Sequence, residues 1–306
     1  AATTDDEGRF RVSQLQPGNY TVSINASNFA PFSQGKIVVE VGRVTSLDIP
    51  LSITGASEVV EVTGEAPVIN TTQQDFSTNI NQTSINELPI NGRRWSNFAL
   101  LTPGAVPDGT FGLISFRGIS GLLNNNTIDG GDNNQAFFAE ERGRTRISYS
   151  ISQAAIREFQ VNTSSYSAEY GRSAGGVVNA ITKSGTNEFH GDAFAYFVAK
   201  SFVREVKSDA LPFTGAAPNG YSEVDAGFDI GGPIVKDKLW FFGAFNPQYR
   251  KNFFLTQTFL QDVENKVTTP FYAGKITWNP NQNHQFTFST FGDFTKQEGF
   301  LFGGSG

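Results

Sequence analysis

Tyr272-Ala273-Gly274-Lys275-Ile276-Thr277-Trp278-Asn279, then the short polar gap from Asn281 to His284, then Gln285-Phe286-Thr287-Phe288-Ser289 is the stretch on which the fold turns. Tyr272, Ile276 and Trp278 fall on one face of the first run, and Lys275, Thr277 and Asn279 on the other. In the second run Phe286 and Phe288 oppose Thr287 and Ser289. A period of two marks extended strands with unlike faces. Working outward, five such runs lie at 189–200, 223–234, 239–250, 270–280 and 285–297. Each has about 10 residues or slightly more, the length a tilted strand needs to cross a bilayer. The gaps between them alternate: Val203 to Ser222 is long, Val235 to Lys238 short, Lys251 to Thr269 long, and Asn281 to His284 short. Long loops on one side and short turns on the other are the habit of a membrane-spanning β-barrel, and a soluble sandwich has no reason to alternate in this way. Leu239-Trp240-Phe241-Phe242 is apolar on both faces, which leaves its outward side unassigned. Trp240, Tyr249, Tyr272 and Trp278 lie where an aromatic girdle could form, with ordinary β-core aromatics as the alternative. Barrels start at about 8 strands, and lipid does not tolerate an open edge. Residues 187–306 are therefore expected to hold the beginning of a barrel only.

Composition agrees with this reading. No run of about 18 apolar residues occurs, so no transmembrane helix is expected. The net charge of −6 points to no nucleic-acid partner. Cysteine is absent, which removes disulfides, thiolate metal sites and cysteine nucleophiles together. Methionine is absent too, no signal peptide opens the chain, and Gly303-Gly304-Ser305-Gly306 directly follows a strand-like run, so both ends read as cuts through a longer protein.

Upstream, three further segments differ in character. Residues 1–53 alternate as short strands: Tyr20, Val22, Ile24 and Ala26; Ile37, Val39 and Val41; Leu47, Ile49 and Leu51. With the turn Gln16-Pro17-Gly18-Asn19, they predict a small antiparallel β-sandwich. Residues 54–75 read as an extended linker containing Glu58-Val59-Val60-Glu61-Val62-Thr63. Residues 76–186 read as α+β. Helical signals lie at Thr83 to Leu88 and Arg93 to Leu101, where Trp95, Phe98 and Ala99 share a face, and strands at Glu158 to Thr163 and Val177 to Thr182. The polar run Asn124 to Asn134 predicts loop or turn.

Several motifs in this order resemble a known family. Glu87-Leu88-Pro89-Ile90-Asn91-Gly92-Arg93, Leu101-Thr102-Pro103-Gly104, Phe116-Arg117-Gly118, Thr127-Ile128-Asp129-Gly130, Ala155 to Val161, Ala168-Glu169-Tyr170-Gly171-Arg172 and Gly175-Gly176-Val177-Val178-Asn179 through Gly185 resemble the plug of TonB-dependent outer-membrane receptors. Gly231-Gly232-Pro233-Ile234-Val235 through Gly243 is similar to early barrel strands of the Oar-like subfamily, and residues 7–29 resemble the carboxypeptidase regulatory-like domain that precedes the plug there. The resemblance covers nearly the whole chain. It implies a mainly β protein of the bacterial outer membrane: a periplasmic sandwich (1–53), a linker (54–75), a plug (76–186) and the first five or so strands of a transmembrane barrel (187–306). It implies a transporter, not an enzyme, with no cofactor. TonB with ExbB and ExbD, outer-membrane lipid and an unknown solute are the implied partners. The solute would be scarce or bulky, of the siderophore, cobalamin or glycan class. An adhesion or protein-export scaffold of the same architecture is the alternative, and a carbohydrate-binding β-sandwich module a third.

Candidate sites follow. Glu58, Val59, Val60, Glu61, Val62 and Thr63 resemble the TonB box, an extended segment that pairs with a strand of TonB; the alternatives are the last strand of the sandwich or plain linker. Arg117, Gly118, Asp129, Gly130, Tyr170, Gly171, Gly175, Gly176 and Asn179 belong to plug motifs, for which a structural role is expected. A buried Arg117 would need a carboxylate partner, expected in barrel strands absent from this chain. Asp129 and Asp132 sit in an oxygen-rich run but lack the downstream Glu of a calcium loop, so a turn is expected. His190 and His284 lie far apart with no zinc or triad context and are expected at strand ends. Gly171 to Gly176 lacks the Lys-Ser/Thr of a phosphate loop and reads as tight turns. Arg142, Arg144 and Arg146, interleaved with Glu140 and Glu141, read as a solvated face.

Overall fold

A computed structural model describes residues 2–13, 15, 17–53, 60–62, 76–88, 95–108, 113–135, 151–166, 168, 170–204, 216–256, 262–281 and 283–299. The described elements form three principal sheets and one separate hairpin.

The N-terminal sheet has the order β1 (Gly18–Ile24), β2 (Phe32–Val39), β3 (Val60–Val62). β1 and β2 are antiparallel, and β3 joins β2 in parallel, with Val60 opposite Phe32 and Val62 opposite Gln34. The strand expected over Leu47 to Leu51 does not form. That stretch keeps the alternating burial of an extended chain but has no ladder partner, and only a bridge from Phe29 to Ile53 ties its end. Its place beside β2 is taken by β3.

The central sheet has the order β4-β9-β10-β7-β8, from β4 (Phe76–Ile80), β7 (Asn125–Ile128), β8 (Gly131–Asp132), β9 (Ile156–Ser164) and β10 (Val177–Thr182). A short helix, α1 (Gln82–Glu87), follows β4; Asn81 caps it by accepting from the Ser84 N–H. The second expected helix is a 3-10 segment at Trp95–Leu101 that buries Phe98 and Ala99. β5 (Ala105–Asp108) and β6 (Leu113–Phe116) form the hairpin.

The third sheet is a wall of long antiparallel strands: β11 (His190–Val198), β12 (Ala216–Val235), β13 (Leu239–Thr256), β14 (Asp262–Asn281) and β15 (His284–Asp293), with β16 (Lys296–Gly299) returning to pair with β14. The expected strands are all present, but three outrun the sequence reading. β12, β13 and β14 have 20, 18 and 20 residues, about twice what a bilayer crossing requires. Most of the long loop expected over Lys251 to Thr269 is thus strand, with Asn252 opposite Asn265 and Phe254 opposite Val263. Its polar side chains do not oppose strand formation, because the backbone ladder satisfies their N–H and C=O groups. The turn Lys236–Lys238 is short as expected, with Asp237 at φ 63.

Wall residues alternate with a hand opposite to that of a soluble sheet. Phe228, Ile230, Phe245, Ile276, Trp278, Phe286 and Phe288 are exposed, whereas Glu223, Asp225, Asp229, Asn246, Thr269, Lys275 and Thr277 are buried. Apolar out and polar in is the pattern of a barrel wall. The strand left unassigned is now oriented. Phe242 and Ala244 point inward and join the core cluster of the central sheet, while Phe241 lies opposite the outward Ile276. Trp240 shares the inward parity and donates its indole N–H to Asn187 at 2.8 Å, so it stands apart from the outward Tyr249, Tyr272 and Trp278.

Candidate functional site

The central sheet has two unlike faces, built by alternation over Glu158 to Asn162 in β9. Phe159 and Val161 enter an apolar core with Phe98, Phe116, Ile128, Val178 and Ala180. Glu158, Gln160 and Asn162 point the other way and are buried too. Register extends the polar face into a row across four strands: Asn79 opposite Gln160, Gln160 opposite Asn179, and Asn179 opposite Thr127, whose hydroxyl donates to Asn179 Oδ1 at 2.8 Å.

The run Asn124 to Asn134 is the clearest correction to the sequence reading. It contains β7 and β8, and its asparagines are structural. Asn134 Oδ1 accepts from the Asn126 N–H at 2.9 Å, Asn134 Nδ2 donates to Asn125 Oδ1 at 2.8 Å, and Asn125 Nδ2 donates to the Gly171 carbonyl at 2.7 Å. Asn124 Nδ2 donates to the Ile114 carbonyl, and its Oδ1 accepts from the Gly176 N–H. A polar strand can be buried when each amide has a partner. Polarity alone signals loop, and the partners lie too far along the chain to be read locally.

The motif residues of the expected plug are placed as follows. Arg117-Gly118 and Asp129-Gly130 are two-residue turns with positive φ at both positions (55 and 81; 49 and 79), the conformation that favours glycine second and joins strands with the correct twist. Gly175 and Gly176 bring the backbone against the Asn124 side chain and the Phe116 ring, where a Cβ would collide. Asn179 lies in the polar row. Tyr170 is half-buried, and Gly171 holds Asn125 through its carbonyl. Arg117 is exposed at its turn, with the guanidinium 5.8 Å from the Phe76 ring centroid. Asp132 accepts from the Asn134 N–H and pairs with Arg172 at 2.6 Å, and these bonds, led by that backbone donor, hold its carboxyl below the usual range.

Asp129 finds its partner on the wall. Its Oδ2 lies 3.0 Å from Lys275 Nζ on β14, while Thr182 donates to Oδ1 from its N–H and to Oδ2 from its hydroxyl. Lys275 also donates to the Thr182 carbonyl at 3.1 Å. A second contact joins Lys183, just after β10, to the buried Asp229 of β12 at 2.8 Å. A third runs from Ser152 Oγ to Asn246 Oδ1 at 2.6 Å and on through Asn246 Nδ2 to Asp225. Sequence reasoning named Asp129 and set Lys275 on the polar face of its strand without pairing the two, and it missed Lys183, Asp225 and Asp229. The signal in β12 and β14 is a charged residue at inward parity.

The N-terminal sheet meets the polar face. The Val41 N–H donates to Glu158 Oε1, Asn79 Nδ2 reaches the Val41 carbonyl at 3.4 Å, and Gly42 sits on the Gln160 amide. Burial pushes the Glu158 carboxyl up from its ordinary value, against the opposing pull of the Val41 N–H.

Of the expected TonB-pairing residues, Val60, Glu61 and Val62 form β3; Glu58, Val59 and Thr63 lie outside the described residues, as do Glu140, Glu141, Arg142, Arg144 and Arg146. His190 and His284 begin β11 and β15 and are exposed.

Comparison with known proteins adds to this geometry. Residues 181–285 match the outer membrane beta barrel domain family, and residues 1–52 the carboxypeptidase regulatory-like domain family. The chain is 29% identical over 334 residues to the TonB-dependent transporter Oar of Myxococcus xanthus, covering 97% of this chain and 30% of that protein. It is 26% identical over 196 residues to the probable TonB-dependent siderophore receptor PirA of Acinetobacter baumannii, covering 61% of this chain and 22% of that protein. The crystal structure of that siderophore receptor superposes with a TM-score of 0.51 at 21% identity, over 74% of this chain and 32% of that one. The ferric enterobactin receptor of Pseudomonas aeruginosa gives 0.51 at 19% identity, over 75% and 34%. The chain thus spans less than a third of the length of these curated relatives.

Proposed function

We propose, from the premise that the chain belongs to the TonB-dependent receptor family of the bacterial outer membrane, that the protein takes up a scarce or bulky solute by energised rearrangement of a plug. In this reading the central sheet and its connections (76–186) are the plug, residues 187–306 open the barrel, and residues 1–53 with the linker 54–75 face the periplasm.

The observation that carries the proposal is how the plug is held. Among the described residues it meets the wall at an apolar patch of Phe242 and Ala244, with Ala273 and Phe291 packed against the same core, and at Asp129–Lys275, Lys183–Asp229 and Ser152–Asn246. Such contacts fix one arrangement by geometry, yet they can be exchanged without breaking any ladder of the wall. The motif residues of the plug serve its turns and its buried amides, which suits a body that moves as a unit.

TonB, driven by ExbB and ExbD, is the proposed source of work. β3 supports this reading because it is an edge strand with its far side unpaired among the described residues, and strand addition to such an edge gives affinity through the backbone. A ferric siderophore is the first solute class to test, because one relative is described as a probable siderophore receptor; cobalamin and glycans follow.

The test uses the full-length receptor in outer membranes. Capture of the periplasmic domain of TonB is measured for the natural chain and for Val60→Pro, which removes a backbone donor, alongside accumulation of ferric siderophore with and without a proton-gradient uncoupler. Capture lost in the proline variant, with uncoupler-sensitive accumulation, is the expected result. Neither capture nor accumulation would overturn the reading in favour of an adhesion or export scaffold.

A further inference from the structure

The loop from Glu40 to Arg43 and the polar face of the central sheet form a joint between two parts of the chain, and among the described residues its chemistry differs from the apolar and ionic contacts of the plug with the wall. Its hydrogen bonds are one backbone bond to a buried carboxyl, Val41 to Glu158, and one long amide contact, Asn79 to Val41, and beside them Gly18 of β1 lies against the Arg157 guanidinium. Gly42, at φ 65, lies against the Gln160 amide so closely that a Cβ would collide with it. Arg43 and Glu40 pair with each other at 2.6 Å at its rim.

Beneath the loop the polar groups are incompletely paired. Nine buried side-chain atoms among the described residues lack a hydrogen-bond partner, and four of them lie here: Arg43 Nε, Asn79 Oδ1, Gln160 Nε2 and Asn162 Oδ1. Each such group has no protein partner in the closed joint, so solvation competes with closure there. Separating the loop from the sheet breaks one backbone bond and one long amide contact and admits water to the polar groups beneath it. The opposite face of β9, Phe159 and Val161, has no such option, because opening it would expose the core.

We propose that residues 40–43 and Glu158 are a releasable latch that holds the N-terminal sheet against the plug and opens without unfolding either. The latch also lies on a mechanical path. β3 pairs with the start of β2, and β2 runs directly into residues 40–43, so tension applied at Val60–Val62 loads this joint as well as the backbone that runs on to β4. The latch itself stands whether or not TonB captures β3.

Hydrogen–deuterium exchange on the full-length receptor in detergent tests it, read in peptides covering 37–45 and, as a control, 177–182. Glu158→Ala is expected to raise exchange at 37–45 at least tenfold while 177–182 stays protected, and Glu158→Gln, which keeps an acceptor for Val41, is expected to restore protection. Gly42→Val, placed in the loop and outside the plug, wedges the same joint and is expected to act like Glu158→Ala even if that variant folds poorly. Unchanged exchange at 37–45 in both disruptive variants would overturn the latch. So would a parallel rise at 177–182 in Gly42→Val, since joint and core would then be one cooperative unit. A glutamine variant as open as alanine would overturn the assignment of Glu158 as the acceptor. Adding the periplasmic domain of TonB separates this proposal from the uptake reading: a receptor that fails to capture it but still opens at 37–45 in Gly42→Val keeps the latch and loses the coupling.

Discussion

The two faces of the central sheet come from the same five residues of β9, and they meet their neighbours by opposite means. Phe159 and Val161 face a core that continues into the wall through Phe242 and Ala244, with ion pairs at its margin. Glu158, Gln160 and Asn162 face a loop that gives back one firm hydrogen bond. The first contact excludes water from apolar groups and is costly to open. The second buries polar groups that water would serve as well. A strand alternating apolar and polar residues is usually read as core against solvent. Here it reads as a contact that opens only with an input of work against one that releases readily.

The largest expected effect comes from the fixed side. Phe242→Ala removes a buried ring that packs on the plug from the wall and should cost about 3–5 kcal/mol, the range for large-to-small core substitutions. In exchange experiments on the full-length protein the loss should appear at 156–164 and 177–182 and not along the β12–β14 ladder. Equal loss in plug and wall would mean that the two are one unit and that the comparison is wrong.

Next is the ion pair. Lys275→Met leaves Asp129 on the wall side without its cation, although Thr182 still donates twice to it. A cost of about 3 kcal/mol is expected, at the low end for breaking a buried pair. Adding Asp129→Asn to that variant should recover more than half of the loss. A double variant as unstable as the sum of the singles would show that the two side chains do not interact.

Gly176→Ala probes how tightly the fixed face is packed. A Cβ there meets the Phe116 ring, itself buried, so a cost of about 1–3 kcal/mol is expected, as for overpacked cores. Thermal unfolding of the plug, followed by exchange at 177–182, measures it, and a neutral result would mean that Phe116 has room to move.

How much of this was legible in the sequence differs between the regions for physical reasons. The wall was legible because period-two alternation is a local signal, and Tyr272, Ile276 and Trp278 face outward as read. The upper parts of β13 and β14 were not, because over Lys251 to Thr269 the apolar residues come in runs such as Phe253-Phe254-Leu255 and not in period-two alternation, although Asn252 to Leu255 pair in register with Asp262 to Asn265. Asn124 to Asn134 was taken for loop because an asparagine is buried only with partners, and Ile114, Gly171 and Gly176 are remote in sequence. Asp129-Gly130 was found by resemblance, although its turn chemistry could have been read directly from an Asp-Gly pair. The joint at Glu158 could not be read at all. Nothing local links Val41 to a residue 117 positions away; only the alternation over Glu158 to Asn162 hints at a second face.

The smallest effect is a pH dependence confined to the releasable side. Burial is the main cause that raises the Glu158 carboxyl above its ordinary 4.5, with the Val41 N–H, Arg157 and Arg43 pulling it down and Glu40 pushing it up. The closed joint therefore favours the neutral acid, whereas the opened joint returns the group to water and its ordinary value. The sign follows by linkage. The contribution of Glu158 to closure is fully present below 4.5 and is lost as pH rises through the raised value of the closed state. Exchange at 37–45, corrected for the intrinsic pH dependence of amide exchange, should accordingly be slower at about pH 5 than at about pH 8, with no matching change at 177–182. Glu158→Gln carries no titrating group and should flatten the difference while keeping the joint closed. If the natural chain instead closes more tightly as pH rises, the Val41 bond outweighs burial, and the polar face is held by its charge.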